Sequence, residues 1–103
     1  TVTALSGSGP AYFYRIAGVL ADWAASEGMP YDVALAMVVK TMEGSADMIK
    51  KGNRSVADLI RDVSSPGGTT LAALGIMDEK DLDGTLRAAV AAAKRRSEEL
   101  GAR

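Results

Sequence analysis

Between Pro10 and Glu27 the sequence has only two charged side chains, Arg15 and Asp22, while Tyr12, Phe13, Ile16, Val19, Leu20 and Trp23 spread around the circumference of the helix this stretch predicts. Pro10 suits the first helical position, where its missing N–H would have had no partner. A helix without a polar face has to be covered on more than one side. The chain has 103 residues, the length of one domain, and little material with which to surround such a helix. Much of its 48% apolar content is alanine and only 5% is aromatic, so its own core is thin. A second copy of the chain is the simplest cover. The expected fold is all-α, a five-helix bundle-like domain in an interlocked homodimer, with Trp23 buried in the subunit or against its partner.

The remaining punctuation supports this reading. Gly28-Met29-Pro30 separates the first helix from a second, expected from about Pro30 to Lys51. Its stripe is Val33, Met37, Val38, Met42 and Ile49, filled in by Ala34, Ser45 and Ala46. The methionines read as core fillers, and Gly52 suits a left-handed C-cap. Ser55, with Asp58 three residues on, resembles a capping box for a short third helix. A fourth helix is expected from about Thr69, and a fifth from near Asp81, a good N-cap, to Leu100. No stretch alternates as a strand would.

Composition removes several functions. Twelve basic and thirteen acidic residues give a net charge of −1, without the surplus that draws in nucleic acid. Lys94-Arg95-Arg96 is followed by Glu98 and Glu99 and reads as a solvated helix end. With no cysteine and no histidine, disulfides, thiol chemistry, Cys/His zinc sites and a histidine acid or base are absent from this sequence. No metal, nucleic acid or membrane partner is expected, and the lack of cysteine fits a cytoplasmic setting. A chain that opens on Thr1 is expected to be a fragment or a processed product.

Two motifs have chemistry within reach. Ser65-Pro66-Gly67-Gly68-Thr69-Thr70 lies between two predicted helices and opens the fourth. Adjacent glycines allow a sharp turn and close approach of a ligand. The unpaired amides and positive dipole of a helix start favour a carboxylate or phosphate. Ser65, Thr69 and Thr70 add hydroxyl donors. A threonine-capped tight turn with no ligand accounts for the same residues, and pattern alone leans that way. Ser6-Gly7-Ser8-Gly9-Pro10 also precedes a helix, but it lacks the Gly-Lys-Thr continuation of a P-loop and has no strand before it. A glycine turn that lets the first helix pack closely is the better account there.

Val2-Thr3-Ala4-Leu5-Ser6-Gly7-Ser8-Gly9-Pro10-Ala11-Tyr12 resembles the opening of the C-terminal domain of pyrroline-5-carboxylate reductases, and Asp62-Val63-Ser64-Ser65-Pro66-Gly67-Gly68-Thr69-Thr70 resembles that family's signature. The two stand in the family's order and at about its separation. Gly28-Met29-Pro30 with Ala34-Leu35 is similar to the start of its second long helix. The likeness covers essentially the whole chain. It departs at Lys80-Asp81-Leu82, where the family often has Gly-Gly-Phe, and at Val56, where a proline is common.

The resemblance implies that residues 1–103 are a C-terminal dimerisation and substrate-binding domain, with an N-terminal Rossmann nucleotide-binding domain lying outside this sequence. It implies reduction of the C=N bond of 1-pyrroline-5-carboxylate to L-proline, with the hydride from NADPH or NADH, in a homodimer that can assemble into a larger ring. The substrate-binding residues implied are Ser65, Gly67, Gly68, Thr69 and Thr70. The hydroxyls of Ser65 and Thr70 and the amides of Gly68 and Thr69 would hold the carboxylate of the cyclic imine. The catalytic residue implied is Thr3, near the ring nitrogen. A threonine hydroxyl is too weak an acid to act alone, so a water or an already protonated iminium is required. A non-catalytic helical dimerisation module and a related imine reductase acting on another ring are the rival readings.

Overall fold

Apolar periodicity and local caps give five α-helices in the computed structural model, which describes residues 1–101: α1 (Gly9–Ser26), α2 (Tyr31–Lys51), α3 (Val56–Asp62), α4 (Thr69–Glu79) and α5 (Leu82–Gly101). No strand occurs among the described residues. A π-helical segment, Thr3–Gly7, precedes α1 where the sequence suggested a glycine turn. Its closing bond runs from the Ser8 amide to the Thr3 carbonyl at 2.9 Å, five residues back.

The helix ends follow local chemistry. Gly28, at φ +102°, ends α1 in a Schellman motif. Its amide donates to the Ala25 carbonyl and that of Met29 to the Ala24 carbonyl, both at 3.1 Å. Gly52 caps α2 in the left-handed region, as expected. The Ser55 hydroxyl accepts from the Asp58 amide at 3.0 Å and so caps α3. The reciprocal half of a capping box does not form, because the Asp58 carboxylate turns to Arg61 at 2.7 Å. Asp81 caps α5, accepting from the Gly84 amide at 3.1 Å, and it does so at φ +54°.

The chain divides into two compact units, one of Thr1–Pro10 with the residues from Val63 onward, the other of Ala11–Asp62. In the first, the π-helical segment and α4 each pack on α5, and Ala4 is buried. In the second, α3 packs on α2, and the buried side chains are Ala17 and Ala21 of α1 and Ala34 of α2. These four alanines are the whole of the buried apolar core among the described residues.

Larger side chains stay outside it. Trp23 is 64% exposed in the single chain and Phe13 58%, with Tyr14, Val19 and Leu20 also exposed, so the α1–α3 unit does not itself bury the tryptophan. Within the same unit two apolar depressions follow one another, of about 210 Å³ lined by Leu20, Met37, Val38, Thr41 and Met42 and of about 440 Å³ lined by Phe13, Met42, Ser45, Ala46 and Ile49. Their two hydroxyls are turned onto the helix backbone. Thr41 donates to the Met37 carbonyl at 2.8 Å and Ser45 to the Thr41 carbonyl at 2.7 Å. What remains to meet a partner surface is mostly hydrocarbon. No described helix is long and apolar enough to cross a membrane.

Candidate functional site

The Ser65–Thr70 segment owes its shape to two residues. Pro66 sets its own φ and Gly67 takes φ +69°, the pairing of a type II turn. The Gly68 amide closes the turn on the Ser65 carbonyl at 3.0 Å. Gly68 then stands before α4 with extended backbone, φ −86° and ψ 177°, and brings no side chain to the helix start. A Cβ added at Gly68 would lie 3.0 Å from the Ser65 carbonyl oxygen. The glycine is therefore needed for room in the turn, in addition to any approach of a ligand.

This geometry decides which donors are free. The Gly68 amide, named from the sequence as a carboxylate donor, is already engaged inside the turn. The first backbone bond of α4 runs from Ala72 to the Gly68 carbonyl at 3.4 Å. The amides of Thr69, Thr70 and Leu71 precede it, and no acceptor among the described residues takes them. They point out of the positive end of an eleven-residue helix. Ser65 and Thr69 are exposed and Thr70 is half-buried, so three hydroxyl residues lie within the segment that leads into these amides. The arrangement suits a small carboxylate, which accepts several N–H and O–H bonds at once. The Leu71 amide was missed in the sequence because it depends on the register in which the helix begins. The extended backbone at Gly68 sets that register.

Thr3 lies in the same compact unit as the turn. It is exposed and opens the π-helical segment. It lines a depression of about 240 Å³ with Ser8, Ala93, Arg96, Ser97 and Leu100, and the turn residues are not part of that lining. Arg96 is held there by Glu99 at 2.9 Å. Among the described residues no group of acidic, histidine or cysteine side chains is arranged to hold a metal ion.

Residues 1–100 match the family described as Pyrroline-5-carboxylate reductase dimerisation. The chain belongs to that family. A pyrroline-5-carboxylate reductase of Pisum sativum is 43% identical over 99 residues, covering 96% of this chain and 36% of the relative. The chain thus spans just over a third of the length of the curated reductases it matches. The fold of a Plasmodium falciparum pyrroline carboxylate reductase solved with NADP bound matches with a TM-score of 0.93 at 34% identity, over 97% of this chain and 38% of that one. A 1-pyrroline-5-carboxylate reductase of Streptococcus pyogenes matches with a TM-score of 0.92 at 35% identity, over 95% and 38% of the two chains.

Proposed function

We propose that this chain is the dimerising and substrate-orienting part of a pyrroline-5-carboxylate reductase, an enzyme that reduces the C=N bond of 1-pyrroline-5-carboxylate to give L-proline. The observation that carries the proposal is the start of α4. In a member of this family, three amides without a backbone partner open α4, and Ser65, Thr69 and Thr70 flank them in sequence, a donor set that supports reading this helix start as the seat of the imine carboxylate. Ser65 and Thr70 donate through their hydroxyls, and Thr69, Thr70 and Leu71 through their amides. Gly67 and Gly68 make the turn that aims them.

NADPH or NADH supplies the hydride to the imine carbon in this proposal, and the ring nitrogen keeps or gains a proton. The described residues contain no strand and hence no βαβ unit to cradle a dinucleotide. In this proposal the main nucleotide site belongs to a separate N-terminal domain. The contribution of this chain is orientation, fixing the ring so that one face of the C=N bond is presented. Thr3 serves as the hydroxyl beside the ring nitrogen, hydrogen-bonding it or relaying a proton from water.

Two copies of the chain form the working unit. The apolar depressions beside Phe13, Leu20 and Met42, and the exposed Trp23, supply the surface that a second copy covers. Such a pair is also the building block for any larger ring. The proposal includes a cytoplasmic setting, in keeping with a chain that has no cysteine.

The test is steady-state reduction by the full-length protein carrying this segment, with imine and nucleotide varied separately. Thr70→Val keeps the shape and removes a donor to a charged group, so the KM for the imine should rise about ten- to a hundredfold. The KM for the nucleotide should stay put. An unchanged imine KM with a raised nucleotide KM would mean that the turn faces the cofactor, and the proposal would fall.

A further inference from the structure

The π-helical geometry of Thr3–Gly7 brings its last residue back over the side chain of its first. A methyl group built on Gly7 would stand 3.3 Å from Thr3 Cγ2. Carbon atoms in comfortable contact are about 3.5–4.0 Å apart. Within the same unit, the other surroundings of Thr3 include Ala93 and Ser97, four residues apart on α5 and so on one face of it. The Thr3 side chain therefore faces a depression that it lines together with Ala93, Arg96, Ser97 and Leu100 of α5, and on its own segment it lies against a residue with no side chain. A side chain at position 7 would press on its methyl, which would have to give by a few tenths of an ångström.

We infer that Gly7 is a positioning residue for Thr3, and that its missing side chain leaves room for the Thr3 rotamer the structure shows, which a side chain at position 7 would crowd. Oγ1 and Cγ2 share one carbon and occupy staggered positions, so displacing the methyl swings the hydroxyl with it, into another well or off its rotamer. Gly7 need not touch the substrate to have this effect. The inference rests on the proposed role of Thr3 at the ring nitrogen.

The experiment is a double-mutant cycle in the full-length reductase with Gly7→Ala, Thr3→Ser and the pair, beside Thr3→Val. Gly7→Ala should lower kcat about three- to tenfold, while the KM for imine and for nucleotide change less than about twofold. Serine has no Cγ2, so in the Thr3→Ser background the same change at position 7 should lower kcat less than about twofold. Methyl NMR of the Gly7→Ala protein should show a changed Thr3 χ1, a readout independent of turnover.

Equal losses from Gly7→Ala in both backgrounds would overturn the inference. So would a harmless Gly7→Ala in a protein where Thr3→Val abolishes turnover, since Thr3 would then matter without Gly7 directing it. A Thr3→Val enzyme with normal kcat would remove the catalytic role of Thr3 itself, which is the separate failure of the reading beneath.

Discussion

Arg54 holds Asp62 by a two-pronged fork, with Nη2 donating to Oδ1 at 2.6 Å and Nε to Oδ2 at 3.1 Å. The two residues bracket α3, which is seven residues long and has no buried side chain. A helix this short is marginal on its own. The fork joins the chain before it to its last residue, and the Ser55 cap secures its first turn. Both partners are about half exposed, so the pair is worth at most about 1 kcal/mol and is screened by salt. Arg54→Met should lower the melting temperature slightly at low salt, and the difference from wild type should shrink at about 1 M salt. Arg54→Lys should behave like methionine more than like arginine, because an ammonium cannot make the fork.

Trp23 should report assembly. It is exposed in the single chain, on a helix whose buried side chains are both alanines. Trp23→Ala should weaken the homodimer by about 2 kcal/mol or more, roughly thirtyfold in the dissociation constant. Sedimentation equilibrium measures this directly. Diluting the wild-type chain should shift tryptophan emission to the red as dimers part, and the melting temperature should depend on concentration.

Gly68 should tolerate less than its exposure suggests. Gly68→Ala places a carbon 3.0 Å from the Ser65 carbonyl oxygen and pries open the turn that aims the amides of α4. The KM for the imine should rise, with little change in the nucleotide KM. Gly68→Val should be worse, and thermal melts of the isolated chain should separate the loss of fit from loss of fold.

Asp81 and Gly84 should be coupled. A Cβ at position 84 would overlap the Asp81 carboxylate that caps α5. In the wild type, Gly84→Ala gains about 1 kcal/mol of helix propensity but displaces a cap worth about 0.5–2 kcal/mol. The net effect should be neutral or destabilising. In an Asp81→Gly background there is no carboxylate to displace, and the left-handed backbone at position 81 suits glycine. There Gly84→Ala should stabilise by close to the full propensity term. Chemical denaturation of the four proteins gives the coupling.

Helix ends were legible in the sequence because their causes lie within a few residues. Gly28, Gly52, Ser55 and Asp81 each act where local pattern placed them. The Ser65–Thr70 segment was legible as a turn before a helix for the same reason. Which amides it leaves free was not, since the engagement of the Gly68 amide depends on the turn type that Gly67 adopts. The π-helical segment was also hidden, because five-residue and four-residue backbone ladders use the same kinds of side chain. The bulk of α1 announced a need for cover and the short chain pointed to a second copy, yet the pattern left open whether Trp23 itself is buried in the subunit or against its partner.

The four tightly buried alanines give the chain an unusual exposure to genetic drift. Most cores fail by losing bulk, when a leucine or phenylalanine is trimmed. Ala4, Ala17, Ala21 and Ala34 offer nothing to trim beyond one methyl. Among single-base exits from an alanine codon, glycine alone is smaller, and inside a helix it costs about 1 kcal/mol. Serine is slightly larger and carries a hydroxyl, and valine, threonine, proline and the acidic residues are larger still. Mutation at these four sites is thus biased toward the kind of change that the packing resists most.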